Sequence, residues 1–252
     1  MSRLYQLAQT HLANMELTQG AIAELLRAVI ESHRDLGSTA AKLTLRTRLL
    51  LKRPALISEM EGWKFYPLKL DAQWDSNCNQ AELRLQVGVD YSSTCPCSAA
   101  LSRQLLQEAF LAHYNKEWSS EHPTPTMIGE WLTQHGSVAT PHSQRSQALV
   151  SVSLSESANT SGDHNQLPII ELINTIEAAL GTAVQTAVKR VDEQAFAKLN
   201  GENLMYVEDA VRRLQAALQS QFSAVNIQVI HRESLHQHDA VASIHNTPAV
   251  PF

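Results

Sequence analysis

Two kinds of hydrophobic pattern alternate along the first half of the chain. Residues 2–13 and 18–34 carry apolar side chains at helical spacing, and Thr18 suits the N-cap of the second segment, so two helices are predicted. Three segments with alternating apolar and polar residues follow at 43–51, 63–74 and 81–91. Such alternation is typical of strands with one buried face, and a polar loop at 75–80 joins the last two as a hairpin. The first half therefore predicts the order ααβββ.

The second half repeats this mixture of elements in a different order. Helices are predicted at 99–118 and 124–135, with prolines in the loop between them, then a strand at 148–155 and a polar loop at 156–166. A helix at 168–180 begins with a proline in its first turn. A helix at 203–221 and strands at 225–231 and 239–244 complete the chain. These patterns predict an α+β fold.

The echo between the halves indicates two tandem modules, although no residue identities repeat. We predict an N-terminal module at 1–98, a helical insertion at 99–141 and a C-terminal module at 142–252. The insertion separates a pair of cysteines from the first histidine motif of the second module. Any site that uses both must therefore be assembled by the fold.

Composition is that of an ordinary globular protein: 252 residues, 44% hydrophobic and 18% charged. A net charge of −5 gives no general reason to expect nucleic-acid or membrane binding, so an anionic substrate would need local basic residues. The sequence shows no apolar run of about 18 residues and no apolar signal core, so no membrane partner and a cytoplasmic location are expected.

Three cysteines do not make a disulfide framework, and a bridge between Cys95 and Cys97 would close a strained ring. Cys78 lies in a polar turn and is interpreted as a loop thiol with no role. Cys95 and Cys97 end an alternating strand, and their thiols are the best candidates for ligands of a soft metal.

Downstream residues supply the other ligand types that such a metal accepts. His142 offers an imidazole, Glu193 a carboxylate, and His236 and His238 two more imidazoles. A site with three protein ligands leaves a fourth position open for water. The combination therefore predicts a metal-dependent hydrolase.

These segments, in their order and with their flanks, resemble the type IB GTP cyclohydrolase family. The likeness runs over essentially the whole chain. It is carried by Met1-Ser-Arg3, Trp63-Lys64-Tyr66-Pro67, Ser93-Thr-Cys-Pro-Cys-Ser98, His142-Ser-Gln-Arg-Ser146, Gln185-Thr-Ala-Val-Lys-Arg-Val-Asp-Glu193, Asn203-Leu-Met-Tyr-Val-Glu-Asp209 and Glu233-Ser-Leu-His-Gln-His-Asp-Ala240.

The resemblance implies two tunnelling-fold modules, each with antiparallel hairpins and a helix pair, in a homotetramer with sites at subunit interfaces. In this family the Met-Ser-Arg element follows a further segment that supplies the first hairpin. The expectation is therefore that the first module lacks that hairpin, which would leave an unpaired sheet edge.

The resemblance also implies a role for each motif. Cys95, His142 and Glu193 would bind the metal, with Asp192 as the alternative carboxylate and Cys97 in a supporting role. Zinc, iron and manganese all remain candidates because this donor set suits each to a different degree.

Substrate roles follow from the same resemblance. Glu208 would hold the guanine ring through two hydrogen bonds, and His236 or His238 would move protons. The triphosphate would meet Arg145, Lys189 and Arg190, with Arg3 as a weaker candidate. Three further histidines match no motif and are treated as bystanders: His164, His231 and His245.

The implied reaction is hydrolysis of GTP to 7,8-dihydroneopterin triphosphate and formate, the first step of tetrahydrofolate and pterin synthesis. A metal-activated water would attack C8 of guanine, with Cys95, His236 and His238 as the catalytic residues. One alternative is a tandem tunnelling-fold nitrile reductase of the queuosine pathway, although its Glu-Ser-Lys-type nicotinamide signature is missing. The other is a non-catalytic, metal-binding assembly subunit.

Overall fold

A six-stranded antiparallel sheet forms the centre of the protein. The computed structural model describes residues 2–13, 15–77, 80–118, 122–154, 166–222 and 224–245. Within them each strand pairs with the next along the chain, so that spatial order equals chain order. The strands are β1 (Ala40–Pro54), β2 (Glu61–Asp75), β3 (Gln80–Thr94), β4 (Ser143–Leu154), β5 (Val225–His231) and β6 (Ala240–His245).

α-Helices accompany this sheet, and several of them pack on it. Among the described residues they are α1 (Arg3–Leu12), α2 (Gln19–Ser32), α3 (Pro96–His113), α4 (Pro125–His135), α5 (Ile169–Leu180), α6 (Arg190–Glu202) and α7 (Val207–Leu218). Helix α2 packs on β1 and β2, whereas α5 and α7 pack together on β3, β5 and β6. Their apolar faces and the inward strand positions form one hydrophobic core. None of these helices is long and apolar enough to cross a membrane.

The predicted mixture of helices and antiparallel strands is confirmed. Thr18 caps α2, with its hydroxyl accepting the Ala21 N–H at 3.2 Å, and β5 has the predicted bounds. The first three strands extend further than their alternation indicated, to 15 residues each. The tunnelling-fold label remains a prediction.

The helices at 190–221 differ from the prediction in two ways. The first is α6, which was not predicted: only Asp192 of its side chains is buried, so it has no apolar stripe to reveal it. The second is the start of α7, expected at residue 203. Leu204 instead forms a parallel bridge with Thr94, and the Met205 N–H donates to the Thr94 carbonyl, so the helix begins at Val207.

The sheet splits between β2 and β3. Their pairing ends at Leu68 and Val87, and the next residue of β2 is Pro67, which has no N–H to donate. Residues 182–189, here named the strap, enter the gap. The Ser92 N–H donates to the Thr182 carbonyl, and the Val184 N–H donates to the Asp90 carbonyl. A proline therefore makes room for a segment that leads directly into α6.

The two predicted modules share this sheet. Strands β3 and β4 pair continuously from Leu83–Leu154 to Thr94–Ser143. Helices α3 and α4, with a π-helical turn at Tyr114–Trp118, lie in the predicted insertion between these two strands. The division at residues 98 and 142 stays a prediction.

Candidate active site

The β3–β4 ladder brings Cys95 and His142 together. Thr94 and Ser143 are the last registered pair, with their hydroxyl oxygens 2.7 Å apart. One residue further, the Cys95 N–H donates to the His142 carbonyl at 3.3 Å. Two residues far apart in sequence are thus held next to each other by strand register.

Cys95 ends its strand and occupies the N-cap of α3, with Pro96 in the first helical position. It is half-buried and forms no side-chain cap hydrogen bond, whereas Cys97 points into solvent. The half-buried Cys95 thiol is therefore the better placed of the two to act as a ligand.

His142 is fixed by three hydrogen bonds in its neighbourhood. Its N–H donates to the Ser98 hydroxyl at 3.1 Å, and its Nδ1 lies 3.0 Å from Gln144 Oε1. The Gln144 Nε2 in turn donates to Glu233 Oε1 at 3.0 Å. Gln144 is buried, so these contacts are shielded from water.

Glu193 lies in the first turn of α6 and is exposed. In the part of the chain that the structure describes, no three His, Cys, Asp or Glu side chains form a group that could hold a metal. One chain thus places Cys95 beside His142 but does not bring Glu193 into a metal-binding set with them.

Asp192, the alternative carboxylate, already accepts four hydrogen bonds within the protein. Its Oδ1 accepts the N–H groups of Ile57 and Ser58, both at 2.8 Å, and its Oδ2 accepts the Ser58 hydroxyl at 2.5 Å and the Lys189 N–H at 2.8 Å. The Ser58 hydroxyl, followed by these backbone donors, lowers the pKa of Asp192. This fully buried carboxylate pins α6 to the β1–β2 hairpin, and its lone pairs are already used.

His236 and His238 lie on an exposed loop between β5 and β6. Their rings stack, with centroids 5.4 Å apart and planes 17° apart. The neck of the loop is closed by the Glu233 N–H, which donates to Asp239 Oδ1 at 3.2 Å. The Arg232 N–H donates to the Arg145 carbonyl and ties the loop to β4.

Glu208 is exposed in the first turn of α7. The bridge between Leu204 and Thr94 anchors the chain just before this helix to the end of β3, the strand that leads to Cys95. The Glu208 carboxylate is close enough to His231 to influence that side chain electrostatically. Glu208 therefore lies at the same end of the sheet as the Cys95–His142 pair.

A buried tyrosine–histidine pair lies below this end of the sheet. Tyr91 and His231 flank Ser146 on β4, and the Tyr91 hydroxyl is 2.7 Å from His231 Nε2. Burial lowers the pKa of His231 below 6.5, partly opposed by Glu233 and Glu208. Burial also raises the pKa of Tyr91 well above 10. From the sequence alone, His231 is a bystander. Its side chain nevertheless lies on the buried face of β5, in line with the side chains of Val225, Ile227 and Val229.

A second buried polar cluster joins β1, β2 and α5. Glu177 accepts hydrogen bonds from Lys64 Nζ and the Tyr66 hydroxyl, both at 2.7 Å, and Arg53 Nε donates to the Tyr66 hydroxyl at 2.7 Å. Burial, followed by the Glu177 hydrogen bond, raises the pKa of Tyr66 well above 10. Sequence reasoning missed this cluster, although Lys64 and Tyr66 lie on the same buried face of β2 as Leu68 and the apolar residues that follow it.

The predicted phosphate-binding residues remain accessible. Arg145 on β4, and Lys189 and Arg190 at the start of α6, are exposed. Arg3, the weaker candidate, instead pairs with Asp35 at 2.7 Å and donates to the Ser32 carbonyl. Cys78 and His164 lie outside the described residues.

Comparison with known proteins identifies the family. The model of the family described as "Type I GTP cyclohydrolase folE2" matches residues 1–242. GTP cyclohydrolase FolE2 from Pseudomonas syringae pv. syringae is 50% identical over 247 residues, covering 98% of this chain and 78% of the relative. The Delftia acidovorans protein of the same name is 51% identical over 243 residues, covering 96% and 78%.

Among solved structures, a uricase from Arthrobacter globiformis aligns with a TM-score of 0.42 and 7% identity, covering 96% of this chain and 72% of the uricase. This likeness is too low to assign a fold. The sequence matches extend over almost the entire chain, and on that basis the chain belongs to the type I GTP cyclohydrolase FolE2 family.

Proposed function

We propose that the protein is a GTP cyclohydrolase of type IB, which converts GTP and water to 7,8-dihydroneopterin triphosphate and formate in tetrahydrofolate synthesis. The observation that carries this proposal is about 50% identity, over nearly the whole chain, to relatives named GTP cyclohydrolase FolE2. The type IB subclass rests on the motif resemblance. The proposed setting is the cytoplasm.

The donor set at the end of β3 supports a metal. Cys95 offers a half-buried thiol, and His142 offers Nε2 because its Nδ1 faces Gln144. Sulfur and imidazole donors suit zinc or iron, and the Glu193 carboxylate as third ligand also allows manganese. When bound, such an ion supplies Lewis-acid chemistry and activates water.

The other motif residues bind and orient GTP in this proposal. Glu208 accepts two hydrogen bonds from adjacent N–H groups of guanine, which selects bases that carry both donors. Arg145, Lys189 and Arg190 bind the triphosphate from the exposed start of α6 and from β4.

His236 and His238 handle protons during ring opening and reclosure. Their exposed, stacked rings lie on a loop whose neck is held to β4 through Arg232 and Arg145, so the loop is attached to the strand that His142 precedes. An imidazole changes charge near working pH and can both take up and release a proton.

Assembly completes the proposed site. The tunnelling-fold resemblance implies a homotetramer with sites between subunits. In such an arrangement Glu193 of one subunit would meet Cys95 and His142 of another, which would account for the incomplete ligand group among the described residues of one chain. The exposure of Glu193, Glu208 and the two loop histidines supports a site that closes against a partner.

A direct assay separates this function from its alternatives. Metal-reconstituted protein is incubated with GTP, and formate and the fluorescent oxidised pterin are measured. Both products are expected in equal amounts. Metal binding without either product would favour the non-catalytic assembly subunit, and the match to cyclohydrolase relatives already argues against the nitrile reductase.

A further inference from the structure

Gln144 bridges two groups with opposite hydrogen-bonding needs. On one side its Oε1 faces His142 Nδ1 at 3.0 Å, and on the other its Nε2 faces Glu233 Oε1 at 3.0 Å. A carboxylate accepts hydrogen bonds, so the NH₂ end of the Gln144 amide must point to Glu233. The amide oxygen is then left for His142, and an oxygen requires a donor. The His142 proton must therefore sit on Nδ1.

This chain of constraints selects one form of the imidazole. With the proton on Nδ1, the free lone pair is on Nε2, on the opposite side of the ring. We propose that Gln144 is a positioning residue that holds His142 in its Nδ1–H tautomer and aims Nε2 at the metal, a role that rests on the proposed function of His142 as a ligand. Outer partners of this kind orient metal-binding histidines and raise metal affinity.

The same amide couples His142 to the loop that carries His236 and His238. Glu233, its second partner, closes the neck of that loop through its own N–H to Asp239 Oδ1. Gln144 is only 7% exposed, so its amide is largely shielded from water, where lost hydrogen bonds are harder to replace. The ligand and the proton-handling loop are thus linked through one side chain.

Two substitutions separate the two halves of this role. Gln144→Met keeps the length of the side chain and removes both hydrogen bonds. Gln144→Glu keeps an acceptor for His142 but loses the donor to Glu233 and places two carboxylates together. Gln147→Met is the matched control, because Gln147 lies on the same strand and its Nε2 donates to Asp90 Oδ1 at 2.9 Å, away from His142.

The first measurement is the tautomer of His142 in the metal-free protein, by long-range ¹H–¹⁵N NMR at a pH where the ring is neutral. We expect the Nδ1–H form in the wild type, in Gln144→Glu and in Gln147→Met, and a mixture of tautomers in Gln144→Met. An Nε2–H form in the wild type would overturn the proposal. This measurement requires neither metal nor GTP, so its outcome does not depend on whether the proposed function is correct.

The second measurement is Zn²⁺ affinity by competition with a chromophoric chelator, together with GTP turnover. Gln144→Met should bind Zn²⁺ about 10- to 100-fold more weakly. Gln144→Glu should bind it nearly as the wild type does but turn over more slowly. Wild-type affinity in Gln144→Met, or an equal loss in Gln147→Met, would refute the positioning role. A wild type that binds Zn²⁺ without converting GTP would refute the proposed function instead.

Discussion

Gly62, at the start of β2, lies close against the strap at Thr186 and Ala187. A Cβ built on Gly62 would lie 2.6 Å from Thr186 Cβ and 2.9 Å from the Ala187 nitrogen, and it would also clash with the Thr186 hydroxyl. Rotation of a side chain relieves only the hydroxyl contact. Because ordinary carbon–carbon contacts are near 3.5 Å, a Gly62→Ala substitution must push the strap away by about 1 Å.

The expected cost is that of overpacking, about 1–3 kcal/mol of unfolding free energy. For a chain of this length that corresponds to a fall in Tm of about 2 to 12 °C. The displaced strap leads into Lys189 and Glu193, so GTP turnover should fall as well. Gly201→Ala in α6 is the control, since its Cβ would meet nothing within 4 Å. It should raise stability by about 0.5–1 kcal/mol, because alanine favours a helix.

Differential scanning fluorimetry and the formate assay provide the two readings. The double variant Gly62→Ala/Thr186→Gly removes two of the three close atoms and should recover most of the lost stability. A single Gly62→Ala variant with wild-type Tm and turnover would refute the reasoning, since the strap could not then be packed against the hairpin as described.

Three further predictions test the site. Cys95→Ala should abolish metal binding and turnover, whereas Cys97→Ala, at an exposed position, should retain the metal. The metal content is measured by elemental analysis, and full metal occupancy in the Cys95 variant would place the site elsewhere. Glu208→Gln should keep the metal but lose most turnover, because the NH₂ of the new amide would face an N–H of guanine, and two donors cannot form a hydrogen bond. Loss of the metal with intact GTP affinity would instead make Glu208 a metal ligand. The lowered pKa of His231 means that the unfolded chain takes up a proton first as pH falls below 6.5, so native stability drops there. His231→Gln should therefore show a smaller loss of Tm between about pH 7.5 and pH 5, and equal slopes would contradict the assignment.

Regular alternation of apolar and polar residues made parts of the fold predictable from sequence. In β5 the inward residues Val225, Ile227 and Val229 alternate with polar or less buried ones, and the predicted bounds match those observed. Helix α6 lacked such a signal because its one buried side chain is the carboxylate of Asp192, and its apolar residues are at most half-buried. Periodicity detects buried hydrophobic surface, of which α6 has little.

The motifs indicated which residue types form the site, but not how they meet. Cys95 and His142 are neighbours because of strand register, which depends on pairing across the whole β3–β4 ladder. Neither the Gln144 bridge nor the Tyr91–His231 pair could be predicted, since each needs the facing strand or loop to be known. Side-chain partners of this kind follow from tertiary structure, whereas the chemical identity of the ligands is visible in the sequence.

The hydrogen bonds that the tip of the β1–β2 hairpin donates to Asp192 also suggest an order of folding during biosynthesis. They join residues 134 and 135 positions apart, so the hairpin leaves the ribosome long before its partner. Contacts of such separation form late, because the intervening chain must be ordered first. Cys95 and His142 can pair as soon as β4 is made, whereas Lys189 and Glu193 reach their positions only when α6 docks. The ligand strands are therefore expected to pair before the strap and α6 dock, and the loop with His236 and His238 is synthesised after both.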